Sequence, residues 1–160
     1  MSVRIGFGFD VHQLAAERPL VLGGITIPFP RGLSGYSDAD VLIHAICDAL
    51  LGAAGLRDIG FHFPNNDDKY KGIDSKQLLK NVVQQLAKKN YRIGNIDATL
   101  CLEQPKINPH IPAMKKALAD VMKISEDDVS IKATTNEKMG FIGREEGVTA
   151  YAVALIESVS

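Results

Sequence analysis

Residues 3–12 alternate strictly, with Val3, Ile5, Phe7, Phe9 and Val11 apolar and Arg4, Gly6, Gly8, Asp10 and His12 between them. A period of two places these sets on opposite faces of a β-strand. Val21-Leu22-Gly23-Gly24-Ile25-Thr26-Ile27 reads as a small hairpin turning on its glycines, and Pro28 to Tyr36 reads as loop. The period then changes. Leu42, Ala45, Ile46, Ala49, Leu50 and Ala53 recur at helical spacing, with Ser37 and Asp40 in capping-box spacing before them and Gly55 after. Residues 57–73 carry no period, and a connection of that length is usually functional or mobile.

A second helix follows a cap at Asp74 or Ser75, with Leu78, Leu79, Val82, Val83 and Leu86 on one side. Ile96, Ala98, Leu100 and Leu102 alternate as a strand. Pro105, Pro109 and Pro112 punctuate the turn to a third helix bearing Met114, Ala117, Leu118, Val121 and Met122. Val129, Ile131 and Ala133 mark a further strand. In the last strand, 147–157, Val148, Ala150, Ala152, Ala154 and Ile156 share one face, but Val153 and Leu155 make the other apolar too. Helices on both faces or an oligomer interface would explain that, and the interface is the expectation. The order of elements predicts one α/β (α+β) domain over residues 1–160. It is a sandwich of a mixed four-stranded main sheet with helices on one face, plus the hairpin.

Composition narrows the functional classes. At 160 residues, 46% hydrophobic and 23% charged, the chain can bury a full core and is not disordered. Eighteen basic and nineteen acidic residues leave a net charge of −1, so no basic field exists for nucleic acid or a membrane surface. No apolar run reaches the ~18 residues of a membrane span, and the N-terminus lacks the pattern of a signal peptide. Cys47 and Cys101 lie in apolar segments and are expected as free thiols of a cytoplasmic protein.

Asp10 and His12, two apart on a strand, leave the same face, and a carboxylate beside an imidazole suits a cation such as zinc. Asp40, His44 and Asp48, each four apart, form a polar stripe expected largely opposite the helix's apolar face. A third ligand from this helix would complete a two-His, one-carboxylate set with one open position, the pattern of catalytic zinc. His62 and His110 are rival ligands on spacing. The segment from Lys132 to Gly147 passes from strand into a loop of hydroxyls, glycines and cations suited to phosphate oxygens, and Glu137 within it could hold a hard cation.

Gly8-Phe9-Asp10-Val11-His12, Ser37-Asp38-Ala39-Asp40 leading to His44, Asp58-Ile59-Gly60, and Lys132-Ala133-Thr134-Thr135 through Arg144 together resemble the 2-C-methyl-D-erythritol 2,4-cyclodiphosphate synthases. The resemblance covers essentially the whole chain. It implies a homotrimer packing its sheets around a three-fold axis, with active sites between subunits. The implied substrate is 4-diphosphocytidyl-2-C-methyl-D-erythritol 2-phosphate, whose 2-phosphate attacks the β-phosphorus and expels cytidine monophosphate. The resemblance further implies zinc on Asp10, His12 and His44, and magnesium or manganese on Glu137. Asp58, Thr135 and Glu137 would be catalytic. Asp10, His12, Tyr36, Ser37, Asp58, Ile59, Gly60, Phe63, Asn65 and Asp67 would meet the erythritol phosphate end. Leu102, Pro105, Lys106, Ile107, Asn108, Ala133, Thr134 and Thr135 would meet the cytidine diphosphate end, with Phe141 also in contact. Arg144 would lie near the axis, where the family can hold an isoprenoid diphosphate. Tyr36, Asn65, Asn136 and Tyr151 depart from the residues usual there (His, Asp, Thr and Glu). The alternative is a non-catalytic trimeric binding module stapled by zinc, distinguished by a closed fourth metal position.

Overall fold

The computed structural model describes residues 1–160. Five strands form the main sheet in the order β4-β1-β7-β5-β6: β1 (Val3–Ala16), β4 (Arg31–Ser34), β5 (Tyr91–Cys101), β6 (Val129–Thr134) and β7 (Gly147–Ser158). β2 (Leu20–Leu22) and β3 (Ile25–Ile27) form the expected hairpin. β1 and β5 each pair antiparallel with β7, and β6 runs parallel to β5. The carboxyl ends of β1, β5 and β6 therefore leave the sheet at one edge.

The sheet has five strands rather than four because Arg31–Ser34, read as loop, pairs with Gln13–Ala16. Four residues are too few to show a period, and this strand exists because β1 runs beyond His12 and offers an edge. Its Gly32 passes so close to the chain before it that a Cβ would lie 2.1 Å from the Pro19 carbonyl oxygen.

Three long helices cover one face: α1 (Val41–Ala53), α3 (Ser75–Lys88) and α4 (Ile111–Met122); α2 (Ile59–His62) and α5 (Gly140–Gly143) are single turns. α1 starts later than the capping-box spacing suggested. Asp40 is its N-cap and accepts from the Ile43 N–H, while Ser37 accepts from the Ala39 N–H in the preceding turn. The aperiodic stretch 57–73 contains α2 and a 3-10 turn at Asp68–Tyr70, both too short to carry a pattern. α1 is central. Eleven of its thirteen residues are buried, because α3, β1 and β7 all pack on it. An all-round apolar helix is the kind a core encloses.

α1 also sets which face of β1 turns inward. A Cβ on Gly6 would stand 1.9 Å from the Ala49 carbonyl oxygen, and one on Gly8 would stand 1.8 Å from that of Ala45. The glycines thus let helix backbone lie directly on strand backbone, so the space they leave is filled by α1. The alternate residues face away from every helix. Ile5 is 72% and Phe7 64% exposed, and the rings of Phe9 and Tyr151 of β7 pack beside them at a tilt, with centroids 5.2 Å apart. Val148, Ala150, Ala152, Ala154 and Ile156 of β7 are fully buried against the helices, and Val153 joins the open apolar face. No helix is long and apolar enough to cross a membrane.

Gly8→Ala places a methyl group against backbone that has no rotamer by which to yield. It is expected to cost at least about 1–3 kcal/mol, as overpacked cores do, and to show as a lower midpoint in urea unfolding. Ala at the exposed Lys80 of α3 should change that midpoint little.

Candidate metal centre and adjoining pockets

The close approach of α1 to β1 delivers His44 beside Asp10 and His12 of the strand. Oδ2 of Asp10 lies 2.9 Å from His12 Nε2 and 3.0 Å from His44 Nδ1, and the two ring nitrogens are 3.2 Å apart. Ligands at 2.0–2.1 Å around a tetrahedral ion stand about 3.3 Å from one another, so this triangle needs only slight widening to hold zinc. Among the helix residues considered as third ligand, His44 is the one in the cluster.

The polar stripe expected opposite the apolar face of α1 is itself buried or half-buried. Asp40 is fully buried, with its carboxylate accepting from the N–H groups of Gly23, Gly24 and Ile43, and it ties the hairpin turn to the start of α1. Asp48 is half-buried and accepts from the Ile59 N–H at 2.8 Å. His62 is engaged with the Leu56 carbonyl, and His110 precedes α4 outside the cluster.

The other ring nitrogens decide where the lone pairs point. His12 Nδ1 lies 2.9 Å from the Ser34 carbonyl, which can only accept, so Nδ1 carries the proton and Nε2 faces Asp10 as a lone pair. On His44, Nε2 lies 2.9 Å from Ser75 Oγ, whose own hydrogen goes to Asp38. Two lone pairs and a carboxylate oxygen then converge on one point, an arrangement that a cation relieves. Without a cation, protons on those same facing nitrogens are the alternative: burial raises the pKa of Asp10, but hydrogen bonds and charge from protonated His12 and His44 outweigh it and bring it to about 2. Burial lowers that of His12, and Asp10 beside it reverses this to a net rise. Asp40 is pushed up to about 6 by burial, against the backbone N–H groups of Ile43 and Gly24 that favour its charge.

A pocket of about 160 Å³ opens on the cluster. Asp10, His12, Tyr36, Ser37, His44, Ile59, Gly60, Phe63 and Asn65 of the expected site line it, and so do Tyr70, Ile73 and Leu78. Asp58 and Asp67 do not. Asp58 caps α2 by accepting from the Gly60 N–H, and Asp67 caps the following 3-10 turn and accepts the Tyr36 hydroxyl on its carbonyl. Tyr70, Ile73 and Leu78 were missed because nothing in an aperiodic loop or a helix stripe marks the residues whose partial burial closes a pocket.

A second pocket, about 120 Å³, is lined by Leu102, Pro105, Lys106, Ile107, Asn108, Ala133, Thr134 and Thr135, all anticipated, together with Glu103. Sequence reasoning missed the role of Glu103. Its carboxylate accepts from the N–H groups of Asn136 and Lys138 and so pins the loop after β6 to the end of β5. Glu137 is the exposed tip of that loop, with φ of +53° followed by +59° at Lys138. Phe141 and Arg144 lie outside both pockets, Phe141 near Gly147 and Arg144 paired with Glu146 at 3.0 Å. The pockets share no lining residue. The metal pocket draws on Asp10 and His12 of β1, and the second pocket on residues that end β6 or follow β5, on strands separated in the sheet by β7.

Three candidate ligands around one point, with a pocket on the remaining side, have the form of an open metal site rather than a closed structural one. The chain belongs to the YgbB family, whose model matches residues 3–157. A Bacteroides fragilis protein named 2-C-methyl-D-erythritol 2,4-cyclodiphosphate synthase is 63% identical over 99% of this chain and 100% of its own length. One of the same name from Cytophaga hutchinsonii is 62% identical over 98% of both. Among solved structures, the CDP complex of Plasmodium falciparum IspF superposes with a TM-score of 0.88 at 34% identity, covering 99% of this chain and 98% of that one. The bifunctional IspDF of Campylobacter jejuni gives 0.96 at 38% identity, and there the match spans 99% of this chain but 43% of the longer one. The chain is thus an enzyme of the cyclodiphosphate synthase family.

The titrations set opposite signs in the metal-free chain. Asp10, depressed to about 2, contributes stability above the unfolded carboxylate range that is lost as pH falls toward 2. His12, raised, contributes stability that is full below about 6.5 and lost as pH rises through its folded value. Asp40, raised to about 6, works against Asp10, because relief of its buried charge grows as pH falls through 6. A bound cation requires His12 unprotonated. Added zinc should therefore raise the melting temperature more at about pH 8 than at about pH 6, as read by thermal unfolding with and without metal.

Proposed function

We propose that the chain, acting as one domain over residues 1–160, converts 4-diphosphocytidyl-2-C-methyl-D-erythritol 2-phosphate to 2-C-methyl-D-erythritol 2,4-cyclodiphosphate and cytidine monophosphate. It does so in the non-mevalonate route to isoprenoids, in the cytoplasm. The observation that carries this reading is the Asp10–His12–His44 triangle opening into a pocket on the same sheet edge as a second pocket of nucleotide-binding composition. The names of the relatives and the CDP complex of a neighbour of similar fold supply the substrate class.

In the reaction, an oxygen of the 2-phosphate forms a bond to the β-phosphorus. The bond from that phosphorus to the bridging oxygen breaks, and its electron pair leaves on the cytidine monophosphate. The nucleophile is part of the substrate, so no Ser-His or Cys-His pair is needed. The chief obstacle is bringing two anionic phosphates together in line. Asp10, His12 and His44 would hold Zn2+, and Glu137 would hold Mg2+ or Mn2+; such ions would neutralise phosphate charge and polarise the reacting phosphorus. Ser37, the Asp58-Ile59-Gly60 turn, Phe63 and Asn65 would seat the erythritol phosphate end. Tyr36, half-buried with its hydroxyl donating to Asp67, would brace that wall instead of offering a histidine's charge. Leu102, Pro105, Lys106, Ile107, Asn108 and Ala133 would seat the nucleoside, and the Thr134 and Thr135 hydroxyls the diphosphate, in a loop held still by Glu103. Fixing both ends of one molecule can supply several kcal/mol of barrier reduction, up to about 7–11 in ideal cases.

Three copies packed by their open sheet faces would bring one subunit's metal pocket against a neighbour's nucleotide pocket. The uncovered row of Ile5, Phe7, Phe9, Tyr151 and Val153 supports that assembly. An isoprenoid diphosphate at the axis would meet Arg144, but Tyr151 puts an aromatic ring, tilted against Phe7 and Phe9, in place of the usual carboxylate.

Protein incubated with this substrate and Mg2+ should release cytidine monophosphate and give the phosphorus NMR signal of a cyclic diphosphate. Absence of both from a fully metallated trimer would refute the assignment. His44→Ala should lose bound zinc and nearly all turnover while remaining trimeric. Full turnover in that variant would show that the triangle is not the metal centre.

A further inference from the structure

Behind His44, away from the pocket, lies a chain of hydrogen bonds that the reaction as described does not use. Ser75, the first residue of α3, is completely buried. Its Oγ stands 2.9 Å from His44 Nε2 and donates its own hydrogen to Oδ1 of Asp38, in a short contact. The Ser75 N–H donates to Oδ2 of the same carboxylate at 3.0 Å, and the Asp40 N–H donates to Oδ1 at 3.1 Å. Asp38 therefore accepts from three donors through both of its oxygens, the acceptor role to which a carboxylate is suited. With its hydrogen spent on Asp38, the Ser75 hydroxyl can offer His44 only a lone pair. Nε2 of His44 must then be the protonated nitrogen, and Nδ1 presents its lone pair toward Asp10 and His12.

A second hydroxyl, Ser37 Oγ, also lies near Nε2, at 3.2 Å. It is the weaker partner. Its distance is longer, and it already accepts the Ala39 N–H. If Ser75 takes the imidazole proton, the hydrogen of Ser37 is left free to donate into the pocket that Ser37 lines.

We propose that Asp38 and Ser75 are positioning residues that fix the tautomer of His44 for metal binding and leave the Ser37 hydroxyl as a donor to a phosphate oxygen in the pocket. The proposal rests on the metal centre argued above. A partner that accepts the distal imidazole proton orients the ring and raises its basicity, and loss of such partners typically weakens metal affinity by about 10–100-fold. Asp38→Asn is the sharper change. An amide supplies one acceptor and one donor where two acceptors are required. When its nitrogen donates to Ser75 Oγ, that hydroxyl must turn its hydrogen onto His44 Nε2 and favour the wrong tautomer.

The test is Zn2+ affinity by chelator competition on full-length wild type, Ser75→Ala and Asp38→Asn, with circular dichroism melts confirming that each is folded. Both variants should bind Zn2+ about 10–100-fold more weakly than wild type. In the zinc-loaded wild type, proton NMR with nitrogen-15 labelling should show the His44 Nε2–H as a downfield, slowly exchanging resonance, which Ser75→Ala should shift upfield or lose to exchange. Affinities within about twofold of wild type with that resonance unmoved would overturn the proposal, as would fast exchange of the Nε2 proton in the wild type itself, a result that needs no variant to fold. Wild type taking up no Zn2+ at all would instead overturn the metal centre, and the proposal with it.

Discussion

Backbone lies on backbone where α1 crosses β1. The carbonyls of Ala45 and Ala49 occupy the space that a Cβ on Gly8 or Gly6 would need, and this contact sets almost everything else. It lowers the helix far enough that His44 reaches the part of the strand where Asp10 and His12 leave the same face. The alternation of a strand then leaves the bulky residues no choice of side. With Gly6, Gly8 and Asp10 turned to the helix, Ile5, Phe7 and Phe9 must turn away from it. One constraint thus assembles the metal ligands and also leaves an apolar face that a single chain does not cover.

The polar residues of and around α1 divide the remaining work. Asp40 satisfies three backbone N–H groups and holds the hairpin to the helix start; Asp48 holds the turn that begins α2; Asp38 and Ser75 stand behind His44. Each of these carboxylates is matched to donors, which is what makes it tolerable so close to the core. Asp10 differs. Its oxygen faces two imidazoles whose opposite nitrogens are already engaged, so its environment is completed by a cation or by protons.

At the same edge of the sheet, β5 and β6 end beside each other in parallel register, and Glu103 fastens the loop that follows β6 to the end of β5. The result is a pocket with threonine hydroxyls on one wall and a proline-rich turn on the other, separate from the metal pocket in the chain. A reaction that joins two ends of one diphosphate substrate suits two such pockets brought face to face, each holding an end while the charges between them are neutralised.

The amino-acid sequence by itself determined the alternation of β1 and β7, the helical faces of α1, α3 and α4, the hairpin on Gly23-Gly24, and the Asp10–His12 pair, because each rests on local periodicity or on spacing within one element. It also carried the family motifs that single out His44, Glu137 and the two groups of pocket residues. Spacing left His44, Asp40, Asp48, His62 and His110 open as the third ligand, and the tertiary structure brings His44 to the pair; tertiary structure alone decided that Asp40 is buried and that Arg31–Ser34 becomes a fifth strand. It alone showed Ser75 and Glu103 at work, thirty-one and thirty-three residues from their partners His44 and Asn136. Periodicity reports which face of an element is apolar. The distance between two elements is set by what packs between them, and here that is the absence of two methyl groups.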